Sequence, residues 1–292
     1  MSEWTIGILG GSGLYEMEAL EEAQWIAVDT PWGAPSDELL IGRLHGVKFV
    51  FLPRHGRGHR IPPSQVNARA NVDALKRAGC TDLVAISAVG SLREELAPGR
   101  FVVVDQFIDR TFAREKSFFG PGLVAHVSMA DPICPRLGGL LAAAAGSAGA
   151  DVARCGTYLA MEGPQFSSRA ESELYRSWGC DVIGMTAMPE AKLAREAELP
   201  YALVGMVTDY DCWRRGEEAV EVSAIIAQLI ANAGTARRMV EELAKALPAE
   251  RDPSPIDTVL DSAIITAPEA RDPALLRRLD AICRRILPRS SS

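Results

Sequence analysis

Two carboxylates, Asp209 and Asp211, stand directly after a nearly unbroken apolar run at residues 201–207. A solvated turn would account for such a pair, and so would the reading of a purine. An ionised carboxylate accepts from the exocyclic amine of adenine, and a protonated one donates to ring nitrogen 7. The second contact is chemically useful, because a purine leaves a sugar with difficulty unless its developing negative charge is neutralised. A carboxyl raised in pKa by burial and a like-charged neighbour suits that task.

Other groups suit an anion. Gly10-Gly11-Ser12-Gly13 follows an apolar run. Its glycines let backbone N–H groups turn toward an anion, and the Ser12 hydroxyl adds a donor. It lacks the spacing of a dinucleotide fingerprint and the lysine of a P-loop. Residues 53–60 hold three arginines and two histidines, including Arg54 and His55. An arginine there can grip phosphate bidentately. With no third ligand beside them, His55 and His59 do not predict a metal site. Ser87-Ala88-Val89-Gly90-Ser91 reads as a small-residue turn at a strand end, open to close approach by a ligand. Thr186 lies near the start of a helix that Pro189 opens, a further place for an anion. Phe166 offers a face on which a base could stack, while Ser167 or Ser168 would serve equally well as a helix cap.

These groups need elements to hold them. Short apolar runs predict strands at residues 5–9, 48–52, 83–86, 101–104, 154–158, 181–183 and 201–207. Helical patterns fall at 64–78, 132–145, 168–178 and 189–197, with a long helix carrying Val222 and Ile225. The alternation predicts a single α/β domain, a central mixed, largely parallel sheet flanked by helices, over residues 1–248. Ligands bind such sheets beyond the carboxyl ends of strands, where several of these motifs lie. Residues 249–292 read as an extension. A proline-rich connection leads to a helix opened by Asp272-Pro273, with apolar residues recurring to Ile286. That helix is expected to pack on the body or on a neighbouring subunit, and a frayed tail follows from residue 288.

The chain has 292 residues, 48% of them hydrophobic, enough to bury a sizeable core. Its net charge of −7 argues against a general nucleic-acid binder, which needs clustered basic residues. Six scattered cysteines without a C-x-x-C pair fit reduced cytosolic thiols better than a disulfide or zinc scaffold. No apolar stretch approaches the ~18 residues of a membrane span, and the start lacks a signal-peptide pattern. A cytoplasmic protein without membrane contact is expected.

Gly10-Gly11-Ser12-Gly13-Leu14, the Arg54-His55-Gly56 loop and Ser87-Ala88-Val89-Gly90-Ser91-Leu92 together resemble the purine nucleoside phosphorylase superfamily, trimeric branch. Glu162-Gly163-Pro164, Met185-Thr186-Ala187-Met188-Pro189-Glu190 and Thr208-Asp209-Tyr210-Asp211-Cys212-Trp213 narrow the likeness to its methylthioadenosine-cleaving members. So does the run from Asp105 to Thr111. The resemblance covers residues 4–245. It implies a phosphate site of Ser12, Arg54, His55, Ser87, Ala88 and Thr186. It implies ribose against Met185 and adenine stacked near Phe166, hydrogen-bonded to Asp209 and Asp211. The 5′-methylthio group would lie among Val222, Ile225 and His126, the last from a neighbouring subunit, with Ser167 a further specificity position. Ser12 and Ser87 stand where many members have Thr, and Gln165 where some have Arg.

The resemblance further implies a homotrimer or hexamer and no metal or organic cofactor, inorganic phosphate being a co-substrate. Phosphate would attack the anomeric carbon while Asp209 protonates or hydrogen-bonds ring nitrogen 7 and Asp211 supports the amine. A 6-oxopurine phosphorylase, a hydrolytic nucleosidase and a non-catalytic purine-binding protein are the competing readings. An Asn in place of Asp209 would favour the first of these.

Overall fold

The computed structural model describes residues 3–11, 13–214 and 222–286, with residues 222 and 224 described by their backbone only. The strands are, in chain order, β1 (Thr5–Gly10), β2 (Glu21–Ile26), β3 (Leu39–Leu44), β4 (Val47–Pro53), β5 (Asp82–Ser91) and β6 (Phe101–Val103). There follow β7 (Gln106–Asp109), β8 (Val152–Arg154), β9 (Thr157–Ala160), β10 (Val182–Gly184) and β11 (Tyr201–Asp209). The helices are α1 (Ala68–Arg77), α2 (Pro135–Ser147), α3 (Arg169–Ser177), α4 (Ala187–Glu196), α5 (Val222–Ala246) and α6 (Pro273–Arg278).

Among the described residues all eleven strands belong to one mixed sheet. Its centre is parallel: β5 pairs with β1 on one edge and with β11 on the other, and β1 continues to β4. These strands are apolar on both faces because helices cover both faces. Helix α1 packs with α4, and α2 with α5. Among the described residues no helix is long and apolar enough to cross a membrane.

Local chemistry sets several element ends. Ser168 and Glu171 form a reciprocal capping box that opens α3, as the cap reading anticipates. Asp272 accepts from the Ala274 amide at the start of α6. Gly79 follows α1 in the left-handed region (φ +88) that a side chain resists.

The structure departs from the sequence reading in places. Residues 154–158 are not one strand: Cys155 adopts φ +80 and divides β8 from β9. Helix α1 starts at residue 68 rather than 64, because Val66 is extended and Asn67 caps Ala70. Helix α6 ends at Arg278, well short of Ile286. Its downstream apolar positions are nonetheless used: Leu279, Ile282 and Cys283 join the main hydrophobic core of the chain from irregular turns.

The departure that matters most concerns residues 87–91, which are not a turn. They prolong β5 to ten residues. Strand β1 pairs with β5 only as far as Ala85, and β10 takes over, antiparallel, from Gly90. Among the described residues no strand pairs with residues 86–89 along this edge. The sheet is split there, and the site lies in the slot.

Candidate active site

Alternation along β5 determines which groups face the slot. The Leu83 amide bonds toward β11, to the carbonyl of Pro200, so even-numbered residues present their backbone to the opposite edge. The Ile86 carbonyl accordingly accepts from Arg54 Nη1 at 3.1 Å. By the same alternation the Ala88 amide faces the slot. Around it a cavity of about 540 Å³ is lined by Gly11, Arg54, His55, Ser87, Ala88 and Thr186 at one end. Phe166, Met185, Asp209 and Asp211 line it further along, and Ile225, Leu229 and Ala233 of α5 form an apolar flank.

The Arg54 end is built differently from a simple arginine grip. Arg54 is 2% exposed, and Glu190 takes one edge of its guanidinium, with Nε at 2.8 Å and Nη2 at 3.1 Å. Nη2 also donates to the Leu9 carbonyl. By count one Nη1 proton remains, so Arg54 offers its charge and a single donor rather than a bidentate fork. Glu190 is itself braced by Tyr201, whose hydroxyl donates to it at 2.8 Å. The hydroxyls of Ser87 and Thr186 lie 3.0 Å apart, and the Thr186 amide donates to the Tyr158 hydroxyl.

His55 is neutral. Burial, reinforced by the Arg54 charge, pushes its imidazole down to about 4. Its Nδ1 lies 2.9 Å from the Ile61 carbonyl, which can only accept, so Nδ1 carries the proton and Nε2 is an acceptor. Towards phosphate, His55 therefore suits a protonated oxygen.

At the opposite end Asp209 closes β11. Its Oδ2 accepts from the Thr208 hydroxyl and its Oδ1 from the Asp211 amide, both at 2.7 Å. Burial raises its carboxyl above the ordinary value against those two bonds. Asp211 is lifted to about 6, chiefly by burial and then by the Asp209 charge. The Ser172 hydroxyl lies close enough to oppose that rise, yet outside hydrogen-bonding geometry, and Asp211 Oδ2 is buried with no partner among the described residues. Two interacting carboxyls titrate as a pair, and this pair takes up a proton near pH 6. Gly90 makes the approach possible: a Cβ there would stand 3.1 Å from Asp209 Oδ1.

One cavity thus joins the Arg54 charge, the neutral His55 and the Ser87 and Thr186 hydroxyls to a buried carboxylate pair raised in pKa. The sequence model of the phosphorylase superfamily matches residues 5–245. The chain belongs to the phosphorylase superfamily. An S-methyl-5′-thioadenosine phosphorylase from Cereibacter sphaeroides is 62% identical over 284 residues, covering 97% of this chain and 98% of that one. One from Bradyrhizobium diazoefficiens is 57% identical over 98% of this chain and 99% of its own. Among solved structures, a methylthioadenosine phosphorylase from an antarctic soil metagenomic library superposes with a TM-score of 0.91 at 46% identity. It covers 99% of this chain and 100% of its own. A methylthioadenosine phosphorylase from Schistosoma mansoni in complex with adenine gives 0.81 at 40% identity, over 85% and 93%.

Within this phosphorylase chain, most of the sequence-derived residues converge. Ser12 lies outside the described residues, as does the Val222 side chain. Ser167 stands behind the wall, its hydroxyl on the Met161 sulfur at 3.4 Å. His126 is exposed and does not line the cavity of its own chain. Sequence reasoning missed Glu190, Tyr158 and Tyr201 as supports. An arginine in an apolar setting requires a buried counter-ion, but nothing along the chain says which acid supplies it. Leu229 and Ala233 were findable, since they follow Ile225 at intervals of four on one helical face.

Proposed function

We propose that this phosphorylase cleaves S-methyl-5′-thioadenosine with inorganic phosphate, giving adenine and 5-methylthioribose 1-phosphate in methionine and purine salvage. The observation that carries the reading is the cavity that joins the Arg54–Ser87–Thr186 end, the Asp209–Asp211 pair and the apolar α5 flank. Phosphate sits against the Ala88 amide, the Ser87 and Thr186 hydroxyls and the Arg54 charge, with Ser12 a further donor. A phosphate O–H meets His55 Nε2. The C1′–N9 bond breaks as a phosphate oxygen bonds C1′, and phosphate charge stabilises the oxocarbenium-like sugar. The electron pair leaves with adenine, whose ring nitrogen 7 takes a proton from the carboxylate pair.

The surroundings refine the division of labour within that pair. Both Asp209 oxygens already accept hydrogen bonds, while Asp211 Oδ2 is buried without one. Asp211 is the better proton carrier and Asp209 the better acceptor for the amine, the reverse of the assignment from sequence. Met185 meets the ribose, Phe166 the base, and Val222, Ile225 and Leu229 the methylthio group. His126, exposed and away from the cavity of its own chain, would join a site from a neighbouring copy in a homotrimer, and the enzyme would act in the cytoplasm. Phosphate is the co-substrate, and the reaction needs no further cofactor.

One assay tests the reading: adenine or hypoxanthine release from methylthioadenosine, adenosine, methylthioinosine and inosine, with and without phosphate. Methylthioadenosine is expected to be the best substrate, and only with phosphate present. Turnover without phosphate would indicate a hydrolase, and preference for the inosines a 6-oxopurine enzyme.

A further inference from the structure

Three residues that do not line the cavity, Ser64, Arg114 and Glu162, hold three of its walls together. Glu162 and Arg114 are almost fully buried and form an ion pair at 3.0 Å. The Glu162 carboxylate accepts from the Ser64 hydroxyl and from the amides of Phe112 and Ala113, the latter two at 2.7 and 3.2 Å. Burial would raise this carboxyl, but the hydrogen bonds from Ser64, the two amides and Arg114 outweigh it and hold it at about 2. The Glu162 carboxylate therefore stays charged through the neutral range.

Arg114 directs its other donors at main chain. Nη1 donates to the carbonyls of Met185 and Met188, and Nη2 to that of Glu162 at 2.6 Å. Ser64 follows Pro62 and Pro63, Glu162 follows Met161, and the Met185 carbonyl precedes Thr186. Each of those neighbours lines the cavity. An ion pair serving stability alone has no need to gather three wall segments that are distant in sequence.

We propose that Arg114 and Glu162, with Ser64, form a clasp that positions the phosphate and ribose half of the site. They are positioning residues, acting through Met185, Thr186 and the Pro62–Pro63 wall, and the inference rests on the phosphorolysis reading above. The clasp makes no contact with Asp209 or Asp211, so adenine recognition should be independent of it. Lysine at 114 would keep the charge but could not span carboxylate and two carbonyls with a planar fork.

The test compares wild type with Arg114→Lys and the milder Ser64→Ala. Three quantities are read: phosphate KM and kcat, the phosphate-induced rise in melting temperature, and the Kd of adenine measured without phosphate. Displacing wall groups by a fraction of an ångström to one ångström typically costs up to about 100-fold. Arg114→Lys is expected to raise phosphate KM and lower kcat by about 10-fold or more, and to diminish the thermal shift, with adenine Kd unchanged. Ser64→Ala is expected to move phosphate KM in the same direction by about 3-fold, again sparing adenine. Unchanged phosphate KM and thermal shift in both variants would overturn the clasp, and so would a parallel loss of adenine binding. If Arg114→Lys does not fold, Ser64→Ala decides alone. Wild-type turnover tests the phosphorolysis reading separately, and the thermal shift reads the clasp without requiring turnover.

Discussion

Replacing Glu190 with Gln keeps the side-chain volume and removes the charge that faces Arg54. Arg54 is 2% exposed, and Glu190 supplies two of its hydrogen bonds, at 2.8 and 3.1 Å, while also accepting from Tyr201. One Gln oxygen can keep one of these bonds, but the amide nitrogen opposes the other guanidinium donor. Removing one partner of a buried pair costs about 3–5 kcal/mol, and the retained bond points to the lower end. At roughly 2–4 °C per kcal/mol for a chain of this size, melting should fall by on the order of 10 °C. The unpaired guanidinium is then a better anion site, so phosphate should stabilise Glu190→Gln more than it stabilises wild type. At 100-fold excess over Kd a ligand contributes about 2.7 kcal/mol, enough to recover much of the deficit. Calorimetry or dye-based melting over a phosphate titration, with sulfate-free buffer, provides the readout. A melting temperature equal to wild type, or an equal phosphate shift in both proteins, would refute the idea that Glu190 neutralises the buried cation.

Other expectations follow from the carboxylate and apolar ends. Adenine should bind more weakly as pH rises through about 6, where Asp211 loses its proton, and calorimetric titration of Asp211→Asn should lack that break. Gly90→Ala places a methyl 3.1 Å from both Asp209 Oδ1 and Ile183 Cγ2, so adenine Kd should rise by about 10-fold (roughly 1.4 kcal/mol) with little change in melting temperature. Ile225→Ala should reduce the preference for methylthioadenosine over adenosine by about 10-fold or more in kcat/KM, because lost apolar contact in such a pocket is worth about 1–3 kcal/mol.

The parts of the fold legible from the sequence are those whose cause is local. The Ser168–Glu171 box, the Asp272 cap and the run that becomes β11 each carry their signal within a few residues. Strand β2 carries none: Glu21, Glu22 and Gln24 leave no alternation, and pairing with β3 alone makes it a strand. The end of β5 was hidden for a different reason. Its small residues read as a turn, yet Gly90 among them lacks a side chain where Asp209, Ile183 and Asp211 crowd the strand. In the site, the lining groups sit in compact motifs and were visible. Their supports were not: Glu190 meets Arg54 across 136 residues, and Arg114 meets Glu162 across 48.

The gap in strand pairing beside residues 86–89 bears on how such a site can diversify. On the proposed reading, anion recognition there rests in part on the Ala88 main chain, which no change of its own side chain can delete. The groups proposed to distinguish one nucleoside from another, Asp209, Asp211 and the α5 positions, act through their side chains. On that reading, descent with substitution can exchange the base and the 5′ substituent while a phosphate donor is inherited with the strand itself.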